Sequence, residues 1–205
     1  MSQHTIRTVE QLQALYGAVS EASIRKEVDH VHPLYRALIE ASPFAVLATS
    51  GPGGLDASPR GDPPGFVIVQ DERTLLVPER RGNNRIDGLR NLLTDPRVAL
   101  LFLVPGHGET LRVNGTATIS VDPTLLDRCA MQGKRPQCVL VVQVQVQTVF
   151  FQCARAIQRA RLWDASQPRR AVPTAGAILE ALTDGSIEAG PYDEQLPGRQ
   201  AATLY

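Results

Sequence analysis

Residues 80–85 read Arg-Arg-Gly-Asn-Asn-Arg and fall where a strand expected over residues 74–78 hands over to a helix expected over residues 84–93. That combination suits an anion. The first turn of a helix leaves backbone N–H groups without partners and carries the positive end of the helix dipole, so a phosphate docks there readily. Gly82 lets the backbone turn closely, Asn83 and Asn84 offer amide donors, and the guanidinium of Arg85 can take two phosphate oxygens at once. Taken alone, the stretch is equally well a solvated basic turn.

Three further segments carry groups of the same kind. Ser58-Pro59-Arg60-Gly61-Asp62-Pro63-Pro64-Gly65 places an arginine at a strand end before a rigid turn, so its side chain is aimed at a fixed point. In Glu109-Thr110-Leu111-Arg112-Val113-Asn114-Gly115 a strand would project Thr110, Arg112 and Asn114 to one face. Arg155, Arg159, Arg161 and Trp163 close the segment after the last strand, where an indole can cover a flat ring. Two alternatives stand beside these: Arg112 pairing with a carboxylate across the sheet, and Trp163 plugging a barrel end.

The elements that must position these groups are short. Residues 44–50, 55–58, 65–70, 74–78, 98–104, 110–120 and 138–151 are β-rich runs separated by Gly, Pro and Asp, a spacing that predicts a small antiparallel barrel with flanking helices, mainly β in class. Alternating Val and Gln in the second half of residues 139–149 gives a strand with one buried and one wet face. Thr8 caps an expected helix over residues 9–17, and others are expected over 32–41, 123–131, 152–158 and 174–182. Asp122-Pro123 supplies an acid before a proline at the first turn of the third of these. The division expected is a helical extension (1–41), a barrel domain (42–164) and a Pro- and Arg-rich extension with one helix and a loosely patterned tail (165–205).

Charge and cysteine usage bound the function. Twenty-one basic and 21 acidic residues cancel, which favours neither nucleic acid nor an anionic membrane surface. Lys26 and Lys134 are the only lysines; an arginine-rich composition fits genomic bias as well as phosphate binding. Cys129, Cys138 and Cys153 form no Cys-x-x-Cys pair and no zinc set, which predicts a reduced, cytoplasmic protein, with Cys129 and Cys153 as buried thiols in apolar helical contexts. The sequence has neither the pattern of a signal peptide nor an apolar run long enough for a membrane span.

In chain order, the strings SPRGD, VPERRGNNR, DPRVALLF, ETLRVNG and FFQCARAIQRARLWD resemble the flavin-binding split barrels related to pyridoxamine 5′-phosphate oxidase, over residues 44–164. More narrowly, the chain is similar to a branch carrying SPRGDPPGF, GNNR, ETLRVNG and RLWD together. The resemblance implies a homodimer with two flavin mononucleotides (FMN) at the subunit interface. Ser58 falls in the first cofactor segment, and Arg60 stands where the family places a phosphate-binding arginine. Asn83, Asn84 and Arg85 stand where the family uses a polar-basic triplet. Pro78, Glu79 and Arg80 would run past the isoalloxazine ring, Thr110 and Arg112 would reach it from the partner, and Trp163 falls near the family's C-terminal aromatic position.

The family's namesake holds its substrate's phosphate through an Arg-x-His arrangement, whereas residues 161–164 read Arg-Leu-Trp-Asp, which argues against oxidation of pyridoxamine phosphate. The preferred expectation is an FMN-dependent oxidoreductase of unassigned substrate and catalytic residues; the alternatives are a non-catalytic flavin-binding or storage protein and a deazaflavin-dependent reductase. Haem is disfavoured because no histidine occupies the cofactor segments. A nucleic-acid binder is the least supported, since the chain is neutral and poor in aromatic residues. The terminal extensions are expected to brace the dimer.

Overall fold

The structure is a computed structural model that describes residues 4–168 and 171–205, apart from the side chains of residues 145–148. In chain order it comprises α1 (Val9–Gln13), α2 (Glu21–Arg25), α3 (Pro33–Ala41), β1 (Phe44–Gly51), β2 (Gly54–Gly61), β3 (Ile68–Asp71), β4 (Thr74–Glu79), α4 (Asp87–Leu92), β5 (Arg97–Leu103), β6 (Thr110–Ser120), α5 (Pro123–Arg128), β7 (Cys138–Gln152), α6 (Arg155–Ala160), α7 (Ala175–Leu182) and α8 (Ala189–Ala202). The strands form one antiparallel sheet in the order β2-β1-β5-β6-β7-β4-β3.

Period-two patterning explains which face of each strand is inside. Ala45, Leu47 and Thr49 of β1, Val98, Leu100 and Phe102 of β5, and Leu111 and Val113 of β6 are buried, while their neighbours in sequence are not. Apart from Thr49, these residues join Leu75 and Val77 of β4 and Leu140 and Val142 of β7 in one core. β4 is buried on both faces, because Leu76 points the other way and packs with Val139 and Cys129, beside Leu125 and Leu126 of α5. The Val/Gln alternation expected near the end of β7 falls partly on residues 145–148, outside the described side chains, and the Arg169-Arg170 pair of the C-terminal extension also lies outside the described residues.

β2 and β4 are far apart in the sheet order, yet side chains at their ends meet. Arg60 Nη2 lies 3.0 Å from Glu79 Oε2, and Arg80 Nε donates to Asp62 Oδ2 at 2.7 Å. The sheet has therefore curled on itself as a barrel whose last seam is made of ion pairs in place of a backbone ladder. This is the architecture of a split barrel.

α4 lies against the β1–β2 hairpin through a buried amide. Asn91 Nδ2 donates to Thr49 Oγ1 at 3.2 Å and to the Gly54 carbonyl at 3.3 Å. The hairpin admits this side chain only because Gly51 has no Cβ: one built there would stand 2.3 Å from Asn91 Oδ1 and 3.0 Å from its Cα. The lead-in before β1 is fastened at its own points. Val28 pairs with Val149, Val31 N donates to the Glu72 carbonyl, and Arg73 bridges to Asp29 at 2.8 Å.

Several sequence expectations need correction. The helix expected over residues 9–17 stops at Gln13 and is followed by a separate short helix, α2, capped by Ser20. The helix expected at 123–131 ends at Arg128, and that expected at 152–158 is displaced to Arg155–Ala160 because β7 continues to Gln152. Cys153 is exposed just after β7 and is not a buried helical thiol; Cys129 and Cys138 are buried. The loosely patterned tail contains α8, which was hidden by an internal Pro197 and by the lack of an apolar stripe; it has no buried residue.

Replacing Gly51 with alanine should displace Asn91 and with it α4. We expect a loss of about 2 kcal/mol of stability, the scale of an overpacked site, read from urea unfolding followed by circular dichroism.

Candidate functional site

Where the barrel is split, β2, β4 and the loop of residues 80–86 enclose a groove of about 810 Å³. Its size is that of a pocket for a cofactor or substrate. β2 contributes Ser58 and Arg60, β4 contributes Pro78 and Glu79, and the loop contributes Arg80, Asn83, Asn84 and Arg85. Eight of the eleven residues expected from the sequence thus converge here.

Each is positioned by its neighbours. Pro78 sits where β4 pairs only with β7, opposite Val139, so its missing N–H breaks no ladder on the other side. Ser58 donates its hydroxyl proton to Asp56 Oδ2 at 3.2 Å. Asn84 adopts a φ of 61°, a left-handed turn that asparagine tolerates better than most residues. Asn83 Oδ1 accepts the Arg85 N–H at 3.0 Å, an Asx turn that fixes the loop.

The helix does not begin at Asn84, as expected, but at Asp87. Asn83, Asn84 and Arg85 belong to the loop before it, and no side chain caps the first turn. Local hydrogen bonding explains the difference: the asparagine side chain offers the backbone a turn in competition with the helix. The loop itself, and not the first turn of a helix, therefore presents the basic triplet.

Charge in the groove is balanced. Arg60, Arg80, Arg81 and Arg85 face Asp56, Asp62, Glu79 and Asp87. Arg85 is exposed and pairs with Asp87 at 2.8 Å, whereas the Arg60–Glu79 and Arg80–Asp62 pairs are largely withdrawn from water. Burial pushes the Glu79 carboxyl above its ordinary range, and the Arg60 guanidinium only partly offsets this. Burial, with Glu79 adding to it, also raises the thiol of Cys138, which is buried behind Glu79 and does not line the groove.

Arg60 Nε and Arg80 Nη1 are buried and have no hydrogen-bond partner. Buried guanidinium donors without a partner are costly, and an oxyanion is a natural acceptor for them. With the amides of Asn83 and Asn84 and the exposed Arg85, this donor set fits a phosphate-bearing cofactor. No histidine or cysteine lines the groove, and no group of three or more His, Cys, Asp or Glu side chains suited to a metal occurs among the described residues.

Thr110, Arg112 and Trp163 lie elsewhere. Thr110 and Arg112 do share a face of β6, alternating with buried Leu111 and Val113. Thr110 Oγ1 bonds Gln152 Oε1 at 3.3 Å, and Arg112 stacks over Phe150 with its carbon 4.3 Å from the ring centroid, so this ring takes the place of the carboxylate considered from sequence. Trp163 Nε1 donates to the His107 carbonyl at 2.6 Å, which fastens the segment after α6 to the β5–β6 loop. Within one chain these three do not border the groove.

Sequence reasoning missed four contributors. Asp62 stands in the SPRGD string, where the sequence suggests no role for it; its side chain is 2% exposed. Asp56 and Asn91 had no motif to announce them. Tyr205 reaches the groove from the far end of the sequence, where nothing in the local pattern pointed to it.

A split barrel with a groove at its seam defines a class of fold, and the family comparison agrees with that fold. The family model for pyridoxamine 5′-phosphate oxidase matches residues 31–153, more than half of the chain, and the protein belongs to that family. Among solved structures, a variant of HupZ from Group A Streptococcus is similar at 19% identity with a TM-score of 0.47, covering 60% of this chain and 99% of that one. A protein from Clostridium acetobutylicum related to general stress protein 26 of B. subtilis is similar at 12% identity and a TM-score of 0.43, covering 58% of this chain and 84% of that one. An FMN-binding protein from Syntrophomonas wolfei subsp. wolfei is similar at 10% identity and a TM-score of 0.42, covering 69% and 91%. These likenesses concern the fold alone. No curated protein matches the chain. No helix among the described residues is long and apolar enough to cross a membrane.

Glu79 gives the seam a defined pH response. Its folded pKa is raised, so its contribution to stability is fully present below the unfolded value of 4.5 and is lost as pH rises through the folded value. Arg60→Ala removes the cation that opposes burial, raises that carboxyl further and steepens the loss. Unfolding free energies at pH 4 and pH 8 should show the variant's deficit growing to about 2 kcal/mol at the higher pH, below the range for a fully buried pair.

Proposed function

We propose that the groove binds flavin mononucleotide and that the protein is an FMN-dependent oxidoreductase. The convergence of Arg60, Arg80, Asn83, Asn84 and Arg85 on one groove, with two guanidinium donors left open, carries this reading. Membership of the pyridoxamine 5′-phosphate oxidase family supports it. Arg85, in its exposed pair with Asp87, is the cation that can turn to a phosphate at least cost. Arg60 and Arg80 are already committed to the seam, so they offer their open N–H groups without leaving their carboxylates.

Bound flavin would supply the electron chemistry, while the chain sets its surroundings and access. Glu79 stands at the groove wall, its carboxyl raised by burial and partly held down by Arg60. Thr110, Arg112 and Trp163, which lie away from the groove in one chain, belong in this reading to a site completed across a homodimer. The substrate is left open, and the missing histidine at residues 161–164 turns it away from pyridoxamine phosphate. A flavin-binding protein without turnover would share the groove; reduction of bound flavin by NADH or NADPH, with reoxidation by an added acceptor, separates the two.

Purified protein should show flavin absorbance, or acquire it with added FMN. Arg85→Ala should weaken FMN binding about 10- to 100-fold, the scale of a charge-assisted hydrogen bond to phosphate, with an unchanged melting temperature because Arg85 is 77% exposed. Equal FMN affinity in this variant, measured by fluorescence titration, refutes the placement of the phosphate.

A further inference from the structure

Helices α7 and α8 pack on each other. Gly176 N donates to Asp193 Oδ1 at 2.8 Å, and Ala189 N donates to Glu180 Oε1 at 3.2 Å. Beyond Ala202 the chain turns back, and Leu204 and Tyr205 become part of the groove wall. The Tyr205 hydroxyl donates to Asp62 Oδ1 at 2.6 Å, while the other oxygen of Asp62 accepts from Arg80 Nε at 2.7 Å. The Tyr205 ring centroid lies 5.8 Å from the Arg80 guanidinium carbon. A phenol, a carboxylate and a guanidinium thus form one cluster on the wall, next to the open Nη1 of Arg80.

We infer that Tyr205 is a ligand-retaining residue of this groove. The inference rests on the groove being the flavin site. Two observations carry it. About 810 Å³ remains with Tyr205 in place, so the side chain is a wall and not a plug. Among the described residues its polar attachment to the barrel is one hydrogen bond and one cation–π contact, with no strand pairing, so it can swing away while the strands stay paired. A cofactor-sized ligand would enter and leave past Tyr205, and the Asp62 hydrogen bond would set how often that side opens. The hydroxyl is held in its protonated, donating form, since Asp62 raises the phenol's pKa.

The test is release of FMN from the loaded full-length protein after dilution into flavin-free buffer, followed by flavin fluorescence. Tyr205→Ala should release FMN about tenfold faster, and Tyr205→Phe, which keeps the ring but not the Asp62 bond, should fall between that variant and the wild type. Melting temperatures of the flavin-free variants should match the wild type, and amide exchange over residues 200–205 should slow when FMN is added. Release from Tyr205→Ala at the wild-type rate overturns the inference and leaves the flavin site standing. A wild-type protein that takes up no FMN overturns the flavin site, and the inference with it.

Discussion

Two ion pairs, Arg60–Glu79 and Arg80–Asp62, hold together what the backbone ladder leaves apart. Neighbouring strands in the sheet are joined by runs of hydrogen bonds, whereas the ends of β2 and β4 meet through four side chains in and just beyond them. Because they are charged and mostly withdrawn from water, each needs its partner, and removing one strands the other. The groove exists because the seam is held at this width: wide enough to admit a ligand, narrow enough that both strands contribute to its walls.

The same four residues tie the fold to its chemistry. Arg60 is the penultimate residue of β2, just before the proline-rich turn, and Glu79 ends β4 just before the basic loop, so both strands deliver their ends to one place. α4 then holds the far side of the loop through Asn91, which reaches between the strands of the β1–β2 hairpin. The loop is thus pinned at both ends while its middle, around Asn84, takes a left-handed turn. A loop of this kind owes its shape to anchoring on rigid strands more than to the helix that follows it.

Much of this was legible in the sequence because strand patterning is local. The β-rich runs that became β1, β5 and β6, and the shared face of Thr110 and Arg112, are each contained within about ten residues, and the strands formed there. What was not legible depends on distance. Nothing near Asp62 indicated that its carboxylate would meet Arg80, and nothing in the last residues indicated that Tyr205 would return to the same carboxylate. The start of α4 was misplaced because asparagine serves both as a helix cap and as a turn former, and only the Asx bond to Arg85 N decides between them. α8 was missed for the opposite reason: a helix that buries no residue leaves no periodic imprint on its sequence.

The even match of guanidinium and carboxylate groups around the groove bears on how a ligand finds it. A cleft lined by one sign of charge gathers counter-ions from a distance and speeds their arrival, at a rate that falls steeply with salt. Here the positive and negative groups sit within a few ångströms of each other, and their fields cancel beyond the first layer of water. Capture therefore depends on contact rather than on long-range attraction. Polyanions passing nearby feel little pull, and in the reading proposed above a phosphate ester would gain its binding energy only on contact with the groove wall.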